Sequence, residues 1–206
     1  MSKKEDDRFL NTSRMEDHDL DLQQRLGSIS EQKRSYIMGT TECINDQWIF
    51  FDAESDEASM LEDMVGKEAE VFTLNRWEKG IFVEDGLIQM NEYFYKLENG
   101  DCIRFRKKLT HAYKELLESL SEEQFLKFTT TLNKLGFSIY DCTHCYNQMM
   151  FHQESGYYEG VNFIMYDNTE MICSVQHHFS RGTIKKDRFE YTLSNGKRAI
   201  LTSLFK

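Results

Sequence analysis

Cys142-x-x-Cys145 and, further along, Cys173 with His177 and His178 are the side chains in this sequence whose types and spacing could do chemistry. Three of the five cysteines and five of the six histidines lie beyond residue 110. Two thiolates at C-x-x-C spacing can reach one tetrahedral zinc, which then needs two more sulfur or nitrogen ligands. Cys142, Cys145, Cys173 and His177 make such a Cys3His set, so the cofactor reading is zinc or none. The set carries a geometric condition. In a straight strand Cys173 and His177 share a face but stand about 13 Å apart at ~3.3 Å per residue. A bulge or strand end must therefore separate them, or His144 or His152 must supply the nitrogen. The spacing predicts Cys142 and Cys145 on a tight turn after a helix, with thiols facing Cys173 on a neighbouring strand. Against this stands the plainer reading of buried thiols and core histidines.

The same residues suggest two other chemistries. A C-x-x-C turn can exchange disulfides, but the thioredoxin context needs a strand before it and a helix after it. Here a helix is expected first and an extended segment follows. A nucleophile–base arrangement would draw on Cys173, His177 and His178, with Asp167 or Asp187 as orienting carboxylate. Strand alternation keeps His177 and His178 from entering one pocket together. Outside this cluster, Arg104, Arg106, Lys107, Lys108 and Lys114 form one basic run, and Arg181, Lys185, Lys186 and Arg188 form another. Phe105, Tyr113, Phe179 and Phe189 are interleaved with them, as a surface that stacks single-stranded nucleic acid requires. A solvated face is the bland alternative. Asp52 to Glu57 resembles a calcium loop only in its acidity, because the sixth-position glycine and the distal glutamate are missing.

The elements that must position these groups follow from pattern. Residues 1–30 read as a flexible tail or short helix, with Leu20 to Gln32 weakly helical. Residues 31–108 read as a β-rich domain of five to seven short antiparallel strands forming a small barrel or roll. Tyr36–Ile44 and Gln47–Phe51 flank an Asn45-Asp46 turn, and Asp85-Gly86 and Asn99-Gly100 mark further hairpins. Ala53 to Val65 is helical in pattern, with Gly66 in the C-cap position. Residues 109–206 read as an α+β domain containing the Cys/His cluster. Leu109, Ala112, Tyr113, Leu116, Leu117 and Leu120 form one helical stripe. Ser121 with Gln124 makes a capping box for a second helix that ends at Gly136. Candidate strands are Tyr146–His152, Val161–Tyr166, Met171–Phe179, Arg188–Leu193 and Arg198–Leu204, the last pair joined at Asn195-Gly196. The second helix would begin Ser121-Glu122-Glu123, which phosphates repel, so it is no groove-reading helix. The fold class is α+β, with a helical hairpin packed on a C-terminal antiparallel sheet.

Composition bounds the rest. The chain has 206 residues, 40% of them apolar and 13% aromatic, which is enough for a core. No run of eighteen apolar residues suggests a membrane span. The first ten residues lack a signal-peptide core, and an odd cysteine count without an export signal points to a reduced, cytoplasmic setting. Net charge is −10 and uneven: residues 1–103 carry 24 acidic and 11 basic side chains, residues 104–206 carry 11 and 14. Bulk attraction to nucleic acid is thereby disfavoured, and any such binding would use the C-terminal half. There is no proline, so turns depend on Gly, Asn and Asp.

The segments Trp48-Ile49-Phe50-Phe51-Asp52-Ala53-Glu54-Ser55-Asp56, Cys142-x-x-Cys145-Tyr146-Asn147 and Cys173-Ser174-Val175-Gln176-His177-His178-Phe179 resemble a family of uncharacterised proteins from endospore-forming bacteria. The likeness covers most of the chain beyond residue 25. It implies a soluble bacterial cytoplasmic protein and brings no activity, cofactor or site residue with it. The expectation is a binding or regulatory module with a protein or nucleic-acid partner. The rival class is a hydrolase or nuclease-like enzyme built on the Cys/His cluster.

Overall fold

The computed structural model describes residues 22, 24–55, 57–151 and 156–205, with side chains as far as Thr202. The expectations for residues 1–20 and for His152 lie outside the described residues. The chain divides after Lys108 into two compact units: Arg34–Lys108, and Leu109 onward together with the described residues before Arg34.

The first unit holds β1 (Tyr36–Ile44), β2 (Gln47–Asp52), β3 (Ala58–Met60), β4 (Glu68–Thr73), β5 (Arg76–Phe82), β6 (Leu87–Gln89), β7 (Phe94–Lys96) and β8 (Cys102–Arg106). They pair in the order β3-β2-β1-β8-β4-β5-β6-β7. The sheet is open, so the expected closed barrel is corrected: no pairing joins β3 to β7 among the described residues. Alternation makes the core. Ile103 and Phe105 of β8 point inward with Phe50, Val71, Phe82 and Ile88, while Arg104 and Arg106 point outward. Backbone turns match the strand twist: Asn45 and Asp46 have φ of 52° and 61°, Asp85 and Gly86 49° and 69°. A Cβ on Gly86 would stand 2.4 Å from the Trp48 ring, so glycine is required there.

The helix expected over Ala53–Val65 is absent. Asp52 Oδ1 accepts from the Glu54 amide at 2.7 Å, making a side-chain turn. The chain then pairs back on β2 as β3, with Phe51 opposite Ala58 and Ile49 opposite Met60. Only Leu61–Met64 is helical, as one 3-10 turn. Cross-strand pairing won over a short apolar period, although Gly66 stands in the C-cap position with φ of 77°.

The second unit holds α1 (His111–Ser119), α2 (Glu122–Lys134) and β9 (Cys142–Tyr146), β10 (Tyr158–Asp167), β11 (Ile172–Arg181), β12 (Lys185–Leu193) and β13 (Arg198–Phe205). The strands form one antiparallel sheet in the order β13-β12-β11-β10-β9. Tyr113, Leu116 and Leu117 of α1 and Phe125, Phe128 and Leu132 of α2 share one core with Ile164, Tyr166, Val175, Phe189 and Tyr191 of the sheet. The capping box forms as its spacing predicts: Ser121 Oγ accepts from the Gln124 amide, and the Ser121 amide donates to Gln124 Oε1 at 2.8 Å. The described N-terminal residues belong to this unit, since Leu22 is buried in its core and Arg25 donates to the Leu120 carbonyl at 2.8 Å. No helix among the described residues is long and apolar enough to cross a membrane.

Candidate functional site

The C-x-x-C pair lies on a strand, β9, and not on a tight turn. In a regular strand residues three apart face opposite ways. Here the register shifts between Met165 and Tyr166, so that Met165 faces His144 and Tyr166 faces Cys142. Thr143 is the extra residue, and the bulge turns Cys142 and Cys145 to the same, core-packed side. Cys173 faces Tyr166 from the other side of β10. Cys142 and Cys173 are thus two strands apart, about 9.6 Å at ~4.8 Å per strand. The ladder of β11 runs unbroken from Ile172 to Arg181 against β10, so no bulge separates Cys173 from His177. The four residues expected to share a zinc do not converge. Among the described residues no group of three or more His, Cys, Asp or Glu side chains is spaced to hold a metal ion.

Burial also decides what the thiols can do. It pushes Cys142 and Cys145 up to about 12 and Cys173 to about 11. At neutral pH all three are protonated thiols, which removes the reactive thiolate that disulfide exchange needs. The Tyr166 hydroxyl donates to Tyr113 Oη at 2.8 Å, while the buried Tyr191 hydroxyl has no hydrogen-bond partner among the described residues.

His177 does meet a carboxylate, and it is Asp187. The imidazole is fully buried, stacked on Phe189 at 4.2 Å, and its Nε2 lies 2.6 Å from Asp187 Oδ1. An ionised carboxylate only accepts, so Nε2 carries the proton. Nδ1 is then the acceptor for Asn162 Nδ2 at 3.2 Å, and Asn162 Oδ1 accepts the Gln148 amide at 2.7 Å. This is a neutral histidine with both nitrogens used. Burial pushes its pKa down and outweighs the pull of Asp187. Asp187 also accepts from Arg181 Nη2 at 2.7 Å and from Gln124 Nε2 at 2.5 Å. Burial works to raise the Asp187 carboxyl, but the hydrogen bonds from His177 and Arg181 outweigh it and hold it below the usual range. Gln124 therefore does two jobs: one end of its amide caps α2 and the other end binds the buried carboxylate. His178 points to the other face, 3.4 Å from Glu190, and Asp167 closes β10 away from this cluster. No cysteine, serine or threonine among the described residues hydrogen-bonds to His177, and the cluster ties α2 to β10, β11 and β12.

Sequence reasoning had His177 and Asp187 as candidates and missed Gln124, Asn162 and the role of Arg181. A signal was present. Asn162 is in phase with Ile164 and Tyr166, His177 with Cys173 and Val175, and Asp187 with Phe189 and Tyr191. Three polar residues on the inward phase of three strands imply a buried network.

The first basic run straddles the two units, with Arg104 to Lys108 in one and Lys114 on α1 of the other, the second run lies wholly in the C-terminal unit, and much of the charge is committed. The Arg104 guanidinium lies 4.0 Å from the Tyr36 ring centroid and 4.2 Å from that of Trp77, and its Nε donates to Glu70 Oε2 at 2.8 Å. Arg106 donates to Tyr36 Oη at 2.9 Å, and Lys107 approaches Glu54 at 3.8 Å. Lys108 is exposed. In the other unit Arg181 is held by Asp187 and Arg188 pairs with Glu190 at 2.8 Å. Lys185 and Lys186 are exposed.

No helix among the described residues lies over the opposite face of the β9–β13 sheet, which is apolar at one end. Tyr146 and Phe163 are paired across β9 and β10, and Phe151 stacks on Tyr146 at 6.3 Å. All three are exposed, Phe151 by 75%.

An α+β chain with a buried, saturated polar cluster and one uncovered aromatic sheet face belongs to the family described as "Protein of unknown function (DUF2777)", whose model matches residues 23–203. It is similar to "Uncharacterized protein YisN" of Bacillus subtilis (strain 168), with 36% identity over 129 residues. That match takes in 61% of this chain and 65% of the relative, so it spans less than two thirds of the relative's length. The family is thus one of uncharacterised proteins of endospore formers. No solved structure matches the chain.

Proposed function

We propose that this protein is a non-catalytic, cytoplasmic binding module that engages a partner protein through the uncovered face of its C-terminal sheet. One observation carries the reading: the exposed Tyr146–Phe163–Phe151 cluster stands on the sheet surface, while the His177–Asp187 pair and Cys173 are buried in the core on its other side. Contiguous exposed aromatics on a rigid element supply the large contact area that interface hot spots use. A protein partner fits better than nucleic acid, because Arg104, Arg181 and Arg188 are already paired. The test is recovery of the tagged full chain from its own cells. The chain should elute in a complex larger than the one the purified chain forms alone. Phe163→Asp should release the partner and leave the chain's own assembly and thermal stability unchanged. An enzymatic activity that His177→Gln abolishes in a folded protein would overturn the reading and favour the hydrolase or nuclease-like alternative.

A further inference from the structure

The two edges of the C-terminal sheet differ in a way that concerns association. β9 has five residues and a register shift, the features that make an edge a poor template for another strand. β13 has eight residues, and its pairing with β12 runs without a shift from Arg198 opposite Thr192 to Phe205 opposite Lys185. Natural edges are usually blunted by Lys, Pro, bulges or shortness. From Ala199 to Phe205 the edge has none of these and no charge. The covering layer also thins here. Phe189 and Tyr191 of β12 are fully buried, whereas Ala199 and Leu201 on the same side of β13 are only half-buried. On the other side Ile200 is 63% exposed.

We propose that β13 is the surface on which a second copy of this chain adds, strand to antiparallel strand, joining the two five-stranded sheets into one. The occupant is a second copy because the edge is complementary to itself. A two-fold axis at Ile200 sets Ile200 against Ile200 of the second copy, Ala199 against Leu201 and Arg198 against Thr202. Directly opposed residues share a face in antiparallel pairing, so apolar meets apolar and the arginine meets a hydroxyl instead of its own copy. Charge permits the approach. Residues 109–206 carry 10 basic and 11 acidic side chains, close to balance, while the large acidic excess lies in residues 1–103.

The test is sedimentation equilibrium of the full-length chain, wild type against Ile200→Lys, with thermal stability measured in parallel. Wild type should show twice the chain mass. Ile200→Lys places like charges opposite each other at the axis and should halve that mass, and its melting temperature should equal that of wild type diluted to the monomer, since the side chain is exposed in a single copy. A wild-type chain that stays monomeric overturns the proposal, whether the edge is then taken by residues 1–21 or by another protein. So does a dimer that Ile200→Lys leaves intact. Phe163→Asp, at the far side of the sheet, should leave the dimer intact, so failure of the partner-binding reading and failure of this one give different results.

Discussion

In each unit of this protein an arginine pairs with a buried carboxylate, and the two pairs solve the same problem in different ways. In the C-terminal unit Asp187 lies beneath α2, and its oxygens are filled by His177, Arg181 and Gln124. In the N-terminal unit Glu70 sits on a sheet face without a helix and is 3% exposed. Its shield is Arg104 itself, with the guanidinium between the Tyr36 and Trp77 rings, and Tyr36 Oη donates to the same carboxylate at 2.9 Å. A helix layer excludes water over a wide area, so every polar atom under it must be satisfied by design. A stacked arginine excludes water only locally, and Lys79 remains 3.9 Å from Glu70 as a second cation. Loss of a partner should therefore cost more at Asp187 than at Glu70.

Four experiments sharpen or break that comparison. The largest effect is expected from Gln124→Glu. The variant keeps an oxygen for the Ser121 amide but sets a second carboxylate against Asp187, where the amide now donates. The C-terminal unit should lose about 3–5 kcal/mol, the range for breaking a buried charge pair, read by urea denaturation. A loss no greater than that of an ordinary cap would show the cluster to be less enclosed than its geometry implies. Arg104→Ala should cost the N-terminal unit less, about 2 kcal/mol from one charge-assisted bond and two ring contacts. Hydrogen exchange can assign that loss to residues 34–108.

The third test is acid. His177 titrates lower in the folded chain than in the unfolded one, so the unfolded chain takes up the proton first as pH falls. Stability from this group is full above the ordinary imidazole value and is lost on going below it, at up to about 1.4 kcal/mol per pH unit, until the folded value is reached. Asp187, also lowered, adds a loss of the same sign once pH falls below the usual carboxylate range. His177→Gln should flatten the first part of this curve. An unchanged curve would remove His177 as its cause. The smallest effect belongs to Tyr191→Phe. The hydroxyl is buried without a partner among the described residues, so its removal should change stability by no more than about 0.5 kcal/mol, or raise it. A loss of a kilocalorie or more would mean that the hydroxyl is bonded.

The comparison with YisN and the family match bear out the sequence resemblance and leave activity open. The amphipathic stripes of α1 and α2, the Ser121–Gln124 capping box and the Asn195-Gly196 hairpin were legible because each depends on residues within a few positions of one another. For the same reason the inward phase of β10, β11 and β12 is written in the chain. What lay beyond the sequence is everything that depends on register between strands. A single extra residue at Thr143 turned the C-x-x-C pair inward, and an unbroken β11 ladder kept Cys173 and His177 apart. Ala53–Val65 became a strand and a 3-10 turn because β2 offered an edge, which no local period records. Gln124 could be read as a cap, but only the crossing of α2 over β12 gave its other end to Asp187. Local chemistry follows chain order; the site follows from which strands lie side by side, and that is set by the packing of the whole unit.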